Sequence, residues 1–458
     1  MKTKLNVVNT YVDLPKYLYS EISPYQNKIK SLEIYNDFLA EEIGLDSSFK
    51  TEGLDALVGN DTVNDLPLIS QGYAGHQFGH FTMLGDGRAV LLGEFGSGGL
   101  DIQLKGSGIT PYSRRGDGLA TLYSMLREYL ISEAMHGLNI PTTRSLSVVS
   151  TLDKVQREEL VQGAVMARVA KSHIRVGTFE FAVRNGSKAE FKQFVDYTIQ
   201  RHFKGLQEKD KYLHFLKEVV RRQAKLIAKW MSVGFIHGVM NTDNMLISGE
   251  SIDYGPCAFM DDFDEQTVFS SIDKHQRYAY GNQPQIAAWN LSRFAETLLD
   301  LIDPANEVAI QKANAEIEMF EKVYHEEYYS IMSSKIGLNI NKELVDKLLV
   351  LMKDNHLDFT NTFISLTLKE EVTQLNEWTK EWEKNEINYN LMKMKNPLVI
   401  PRNYYVEEVL KLAVQGDYEE FNQFIDLLKN PFKYSIRHLK FLKRDIPITS
   451  QYKTYCGT

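Results

Sequence analysis

Residues 236 to 245, IHGVMNTDNM, have the spacing of a phosphoryl-transfer loop without its central carboxylate. In loops of the form His-x-Asp-x-x-x-x-Asn, the Asp takes the proton of an attacking hydroxyl and the Asn holds a metal ion. His237 and Asn244 keep the spacing, but Val239 stands where the Asp belongs. A different carboxylate, Asp243, sits directly before the Asn. The loop has therefore either lost its chemistry or performs another one. Asn244 and Asp253 flank NMLISGESIDYG, which reads as a short hairpin. Asp253 opens a DYG that matches an Asp-Phe-Gly tripeptide whose Asp holds Mg²⁺. An Asn and an Asp converging on phosphate oxygens suit hard Mg²⁺ or Mn²⁺, which prefer oxygen ligands.

Upstream lie groups suited to phosphate. MLGDGRAVLLGEF places an Asp-Gly pair between two β-like runs, a tight-hairpin signal. Gly85 and Gly87 would let backbone amides approach a phosphate, and Arg88 adds positive charge; an ordinary hairpin has the same pattern. LDIQLKG puts Lys105 on an apolar strand, where a lone ammonium is costly and needs a partner. A nucleotide phosphate or an acid on the following helix would serve. Glu128 and Glu133 both lie there, and spacing does not choose between them. GSGITPYSRRGDG holds Arg114 and Arg115 and ends at Asp117 and Gly118 before a helix. It reads equally as a phosphate loop or as a loop with an Asp cap. Arg168 and Arg175 of MARVAKSHIRVGTFEF offer bidentate donors to phosphate, or are surface arginines.

Other groups carry less. His76 and His80 stand four apart in AGHQFGH, but neighbouring glycines argue against the helix that a zinc pair would need. The acidic run Asp261, Asp262, Asp264 and Glu265 reads as a solvated loop. With two cysteines, Cys257 and Cys456, there is neither a disulfide framework nor a Cys-based zinc site.

The elements that position these residues change character along the chain of 458 residues. Residues 1–70 read as a mixed polar segment with short helices. From 71 to 185, glycine-rich β-like runs at 89–95, 100–106, 145–151 and 163–170 surround one helical pattern at 119–137, the composition of a small α+β lobe. A long amphipathic helix over 211–234 ends at Gly234 and leads into the 236–245 loop. Residues 285–330 and 338–458 are almost wholly helical in pattern. The formal net charge of −8 speaks against a nucleic-acid binder. The basic stretch Lys429 to Arg444 reads as an amphipathic helix with a solvated face. No window approaches a membrane span, and no signal peptide is visible in MKTKLNVVNTYVDLPKYL. The expectation is a cytoplasmic protein with reduced thiols, without nucleic-acid or membrane partners.

In its detailed form the chain resembles the selenoprotein-O family, also called YdiU, of protein adenylyltransferases with a kinase-like fold. The stretches that carry the resemblance are YAGHQFGHF, LGDGRAVLLGE, DIQLKGSGITPYSRRGDG, ARVAKSHIRVGTFE, HGVMNTDNM, IDYGPCAFMD and NPLVIPRN. The resemblance implies an α+β, two-lobed protein-kinase-like fold. It would comprise an N-terminal extension (1–70), an N-lobe (71–185), a C-lobe (186–300) and a large helical C-terminal region (301–458). It implies ATP bound in a flipped orientation and AMP transferred to Ser, Thr or Tyr hydroxyls of proteins, with UMP transfer and Mn²⁺ in some members. It implies that Lys105 contacts phosphate and pairs with Glu128. Gly85, Gly87, Arg88, Asp117, Gly118, Arg168, Arg175 and Asp253 then line the nucleotide site. Asn244 and Asp253 bind Mg²⁺ or Mn²⁺, and Asp243 accepts the proton. A flipped nucleotide presents a different phosphorus at a different place, which makes Val239 tolerable. Cys456 stands where the family often has a cysteine or selenocysteine near its C-terminus. The loop after DYG, EQTVFSSID, lacks the partner cysteine of some members. A redox-sensitive Cys257–Cys456 disulfide and, the favoured reading, two unrelated thiols therefore both stay open. The partners are protein substrates, and the chain is expected to act as a monomer.

Overall fold

The computed structural model describes residues 5–206, 208–434 and 439–442. Its strands, in chain order, are β1 (Val7–Val8), β2 (Tyr19–Ile22), β3 (Ile29–Tyr35), β4 (Leu68–Gln71), β5 (Ala74–Gln77), β6 (His80–Met83), β7 (Ala89–Phe95) and β8 (Leu100–Lys105). They are followed by β9 (Ala120–Thr121), β10 (Arg144–Gln156), β11 (Leu160–Ala170), β12 (Phe235–Ile236) and β13 (Ala258–Phe259). An antiparallel sheet runs β2-β4-β7-β8-β11-β10-β3, with β1 added to β7 and β9 to β11. The β5–β6 hairpin and the β12–β13 pair stand outside it. The architecture is mixed α/β, with helices dominating after residue 176.

Residues 1–70 are more than polar chain with short helices: they supply β1 to β4, including both outer strands of the sheet. The edge strand β3, IKSLEIY, is only partly covered along most of its length, so it lacks the clean alternation that betrays a strand. Two expected hairpins are absent. Asp86-Gly87 does not turn β6 into β7, because β6 pairs with β5 while β7 pairs with β4 and β8. Gly85, at φ 143°, is needed because a Cβ there would lie 2.3 Å from the Tyr112 ring. The segment 244–255 does not fold on itself either. Leu246 bridges to Arg175 and Ser251 to Thr142, so each half is held by a different neighbour.

Pleating along the central strands sorts their side chains by chemistry. Ile102 and Leu104 of β8 join Val90, Leu92, Val165, Ala167 and Val169 in a core lidded by Leu39, Ala40 and Leu57 from the first residues of the chain. Gln103 and Lys105 therefore point to the opposite face, where Arg168 of β11 meets them. The helix Leu122–Gly137 lies on that face, capped by the Thr121 hydroxyl accepting from the Ser124 amide. It begins at 122 rather than at 119 because Ala120 and Thr121 are drawn into the sheet as β9.

The helix Lys211–Ser232 carries the chain to Gly234, whose φ of 71° permits the reversal into β12. Pairing of β12 with β13 closes the base of the loop that contains residues 237–257. Gln283 clasps the same base, donating to the Phe235 carbonyl at 2.9 Å and accepting from the His237 amide at 3.0 Å. Farther on, Arg402 of NPLVIPRN forms ion pairs with Asp358 at 2.8 Å and Asp261 at 2.5 Å. Asp261, read from sequence as part of a solvated loop, is thus tied to the C-terminal helices. Arg402→Ala would leave the buried Asp358 carboxylate without its counter-ion. It is expected to lower stability by about 3–5 kcal/mol, measured as a shift of the denaturant midpoint at unchanged slope.

Candidate active site

One carboxylate gathers the cations. Asp253 Oδ1 lies 2.7 Å from Lys105 Nζ and 2.7 Å from Arg168 Nη1, and Oδ2 accepts from Arg175 Nη1 at 2.9 Å. Lys105 also reaches Glu128 at 2.6 Å, and Arg168 reaches Glu128 at 3.1 Å. The choice left open by spacing is thereby settled for Lys105: Glu133 faces elsewhere, bound by Arg144 at 2.6 Å and by Asn36 at 2.9 Å. Burial works against the charge of Asp253, but the three cations overcome it and hold the carboxyl well below its usual range. Asp253 adopts φ 62°, a left-handed conformation unusual outside glycine.

Asp86 stands behind the cluster. Its Oδ2 accepts from Gln103 Nε2 at 2.9 Å and from the Gln71 amide at 3.2 Å, and Arg175 lies 3.9 Å away. Burial raises its pKa to about 6 against the pull of Arg175. Gln103 in turn accepts from Arg168 at 2.5 Å. Neither residue was singled out in the sequence, although the alternation of Asp101, Gln103 and Lys105 along β8 carried the signal of a polar face.

Side chains on both arms tie down the 236–245 loop. His237 stacks on Trp230 at 5.4 Å, and its Nε2 meets the Ile252 carbonyl at 2.9 Å, so the histidine joins the two arms of the loop. Burial lowers its pKa below the usual imidazole range. Asn244 donates to the Val239 carbonyl at 3.0 Å. Arg175 donates to the Asp243 carbonyl at 2.7 Å, linking this loop to the cation cluster. The Asp243 side chain is buried, and its Oδ1 has no hydrogen-bond partner. Burial raises its pKa to about 6, with Arg175 pulling the other way. A Cβ on Gly75 would lie 2.0 Å from that oxygen, so β5 presses its backbone directly against the carboxylate.

These groups border one cleft of about 670 Å³, lined also by Gly85, Gly87, Arg88, Arg114, Arg115, Asp117 and Gly118. Asp117 is not the cap of the following helix: it accepts from the Leu119 amide at 2.9 Å and pairs with Arg157 at 2.8 Å. Gly118, at φ 71°, sits where a Cβ would strike the Gly108 carbonyl at 2.2 Å. Arg157, Tyr73, whose ring lies 4.6 Å below Arg175, and Asn241, which accepts from the Phe78 amide and the Tyr278 hydroxyl, complete the surroundings and had no sequence signal of their own. His76 and His80 part company: they lie on opposite strands of the β5–β6 hairpin, and His76 approaches Glu180 at 2.5 Å. Among the described residues no group of three or more His, Cys, Asp or Glu is arranged to hold a metal. The donor set that fits a hard cation is instead an amide and carboxylates, Asn244 with Asp253 beside the unpartnered oxygen of Asp243. Cys257 is buried, its thiol raised to about 12 by burial, and Cys456 lies outside the described residues. The described residues of the Lys429–Arg444 stretch are not the amphipathic helix expected there: the helix Glu419–Leu428 ends before it, 429–434 run as turns and irregular chain, and Leu439–Leu442 is a single 3-10 turn. No helix among the described residues is long and apolar enough to cross a membrane.

A sheet face that aims Lys105 and Arg168, joined by Arg175 from the start of the helix Val176–Asn185, into a cleft floored by carboxylates is the equipment of a transferase acting on a polyphosphate. The sequence pattern of the family described as protein adenylyltransferase SelO matches residues 1–390. Proteins named protein nucleotidyltransferase YdiU are similar along their length. That of Clostridium botulinum (strain Eklund 17B / Type B) is 51% identical, covering 99% of this chain and 98% of its own. That of Clostridium perfringens (strain 13 / Type A) is 51% identical over 100% and 98%. That of Halalkalibacterium halodurans is 50% identical over 98% and 96%. The chain belongs to the SelO family of protein adenylyltransferases, enzymes of the nucleotidyltransferase type.

An anion-shaped charge cluster makes a prediction independent of turnover. Inorganic tripolyphosphate at 100 times its Kd is expected to add about 2.7 kcal/mol of stability, read as a rise in Tm. Arg168→Ala is expected to abolish most of that rise.

Proposed function

We propose that this chain transfers AMP from ATP to Ser, Thr or Tyr hydroxyls of proteins, with the nucleotide bound in the flipped orientation. The observation that carries the reading is the separation of roles within one cleft. Lys105, Arg168 and Arg175 crowd one carboxylate, while Asp243, with a bare oxygen, stands on the loop beside them. The acceptor oxygen attacks the α-phosphorus, the bond from that phosphorus to the bridging oxygen breaks, and pyrophosphate leaves. Asp243 takes the hydroxyl proton. Lys105, Arg168 and Arg175 receive the charge that develops on pyrophosphate, where loss of one such contact typically costs roughly 10²–10³-fold in rate. Asp117, Gly118, Arg88 and the close-packed Gly85 and Gly87 shape the walls for the nucleotide. Asn244 and Asp253 would hold Mg²⁺ or Mn²⁺, which supplies Lewis-acid neutralisation of phosphate oxygens when bound. UMP transfer with Mn²⁺ belongs to the same geometry.

The same reading divides the chain in kinase-like manner: an extension (1–70), an N-lobe (71–185), a C-lobe (186–300) and a helical region (301–458). The order of strand lysine, helix glutamate, loop asparagine and DYG aspartate supports it. The enzyme acts in the cytoplasm as a monomer. A conventional kinase is disfavoured by Val239, a buried apolar side chain at the position of the missing base.

Purified protein incubated with cell extract, Mg²⁺ or Mn²⁺, and ATP labelled at either the α- or the γ-phosphate separates the chemistries. Label on protein from α-labelled ATP alone is expected; label from γ-labelled ATP alone would make the chain a kinase with an unusual base. Asp243→Ala should lower transfer by roughly 10²–10⁴-fold with ATP affinity retained, measured by isothermal titration. The pH dependence follows from the sign of the shift. Because burial raises the Asp243 pKa to about 6, the base is protonated below that value. kcat/KM should therefore fall about tenfold per pH unit below 6 and level off above it.

A further inference from the structure

Beside the nucleotide cleft, across a wall formed by Phe78 and Asn241, lies a second groove of about 610 Å³. Phe78, Ile272, Lys274, His275, Arg277 and Ile286 line it. Two features connect it to the chemistry. Gln77 lines the nucleotide cleft and Phe78, the next residue, lines the groove. Asn241, another cleft residue, holds the wall between them, accepting from the Phe78 amide at 3.1 Å and from the Tyr278 hydroxyl at 2.6 Å. Phe78 itself is kept at φ 52° and packs on Tyr278 at 5.2 Å, so a bulky ring is fixed at the rim.

The groove is apolar at its floor and basic along its lip. Ile272 is 50% exposed at the groove, while Ile286 is buried below. Lys274 and His275 are exposed, and Arg277 is held over Trp289 at 4.8 Å. The one carboxylate lining the groove, Asp273, is buried and turned inward, accepting from the Arg277 amide at 3.0 Å and the Tyr278 amide at 2.7 Å. In a chain of net charge −8, a basic lip around an exposed isoleucine is a local reversal of the overall field.

We propose that this groove docks the acceptor protein, through a segment that carries an apolar side chain beside acidic residues and delivers its hydroxyl to Asp243. The inference rests on the adenylyl-transfer reading above and names the substrate class that reading leaves open. The apolar floor would anchor one side chain, and the lip would steer acidic neighbours toward it.

The test pairs Ile272→Asp with Lys274→Glu, two exposed positions outside the nucleotide site, in the full chain. With α-labelled ATP and cell extract, the double variant is expected to label protein at least about tenfold more slowly than the unmodified enzyme, with its Kd for ATP unchanged. A hydroxyl-free peptide of Glu and Leu should inhibit labelling by the unmodified enzyme in competition with protein and not with ATP. The same peptide with Lys in place of Glu should not inhibit. Equal labelling by the variant, or no inhibition by the acidic peptide, overturns the groove and leaves adenylyl transfer standing. Absence of α-label from the unmodified enzyme overturns both. A change in sedimentation with labelling unchanged would assign the groove to a second copy of this chain and overturn the proposal.

Discussion

Three cations around Asp253 are the constraint on which the remaining architecture depends. Lys105, Arg168 and Arg175 repel one another, and each is almost fully buried. Only the carboxylates of Asp253, Glu128 and, behind them, Asp86 make that arrangement stable in the folded chain. Burying such charges is costly unless every partner is in place. The cluster therefore requires a strand, a neighbouring strand, a helix and a loop to be registered to within a hydrogen bond. β8 and β11 are registered by Gln103 opposite Arg168, the helix Leu122–Gly137 by Glu128, and the loop by Arg175 bonding both Asp243 and Asp253.

That demand explains the first residues of the chain. A sheet that turns Gln103, Lys105 and Arg168 to one face must bury its other face completely. The helices Asp37–Glu42 and Leu54–Leu57 supply the cover, with Leu39, Ala40 and Leu57 set against Ile102, Leu104 and Val169. The N-terminal segment is thus the counterweight of the active face, and the sheet has its outer strands there too. At the far end of the chain Arg402 plays a comparable part, binding the loop beyond DYG to the helices that follow.

How much of this was legible depended on whether a residue's signal was local. Lys105, Arg168, Arg175, Asp243 and Asp253 stood out because their types and spacing carry chemistry, and the fold draws all five to one cleft. The helices at 122–137 and 211–232 were legible from periodicity, apart from the turn that β9 takes from the first. Turn signals misled where tertiary packing decided the matter. Asp86-Gly87 has the composition of a hairpin, yet its glycines answer the approach of Tyr112 and its aspartate answers Gln103. NMLISGESIDYG was read as pairing with itself, while its partners Arg175 and Thr142 lie far off in sequence. Asn241, Tyr73 and Arg157 had no local signature at all, since each acquires its place only through a contact made by the finished fold.

The backbone of Asp253 has a consequence of its own. At φ 62° an L-residue with a branched or bulky Cβ pays about 1 kcal/mol or more, whereas Asn, like Asp, enters this region with comparative ease. Natural drift at this position is therefore funnelled by conformation before chemistry is consulted. Asparagine and glycine are the neighbours the main chain accepts, and of these only asparagine keeps the shape of the side chain. Replacement by asparagine separates charge from geometry at the centre of the site, and replacement by valine or leucine confounds the two.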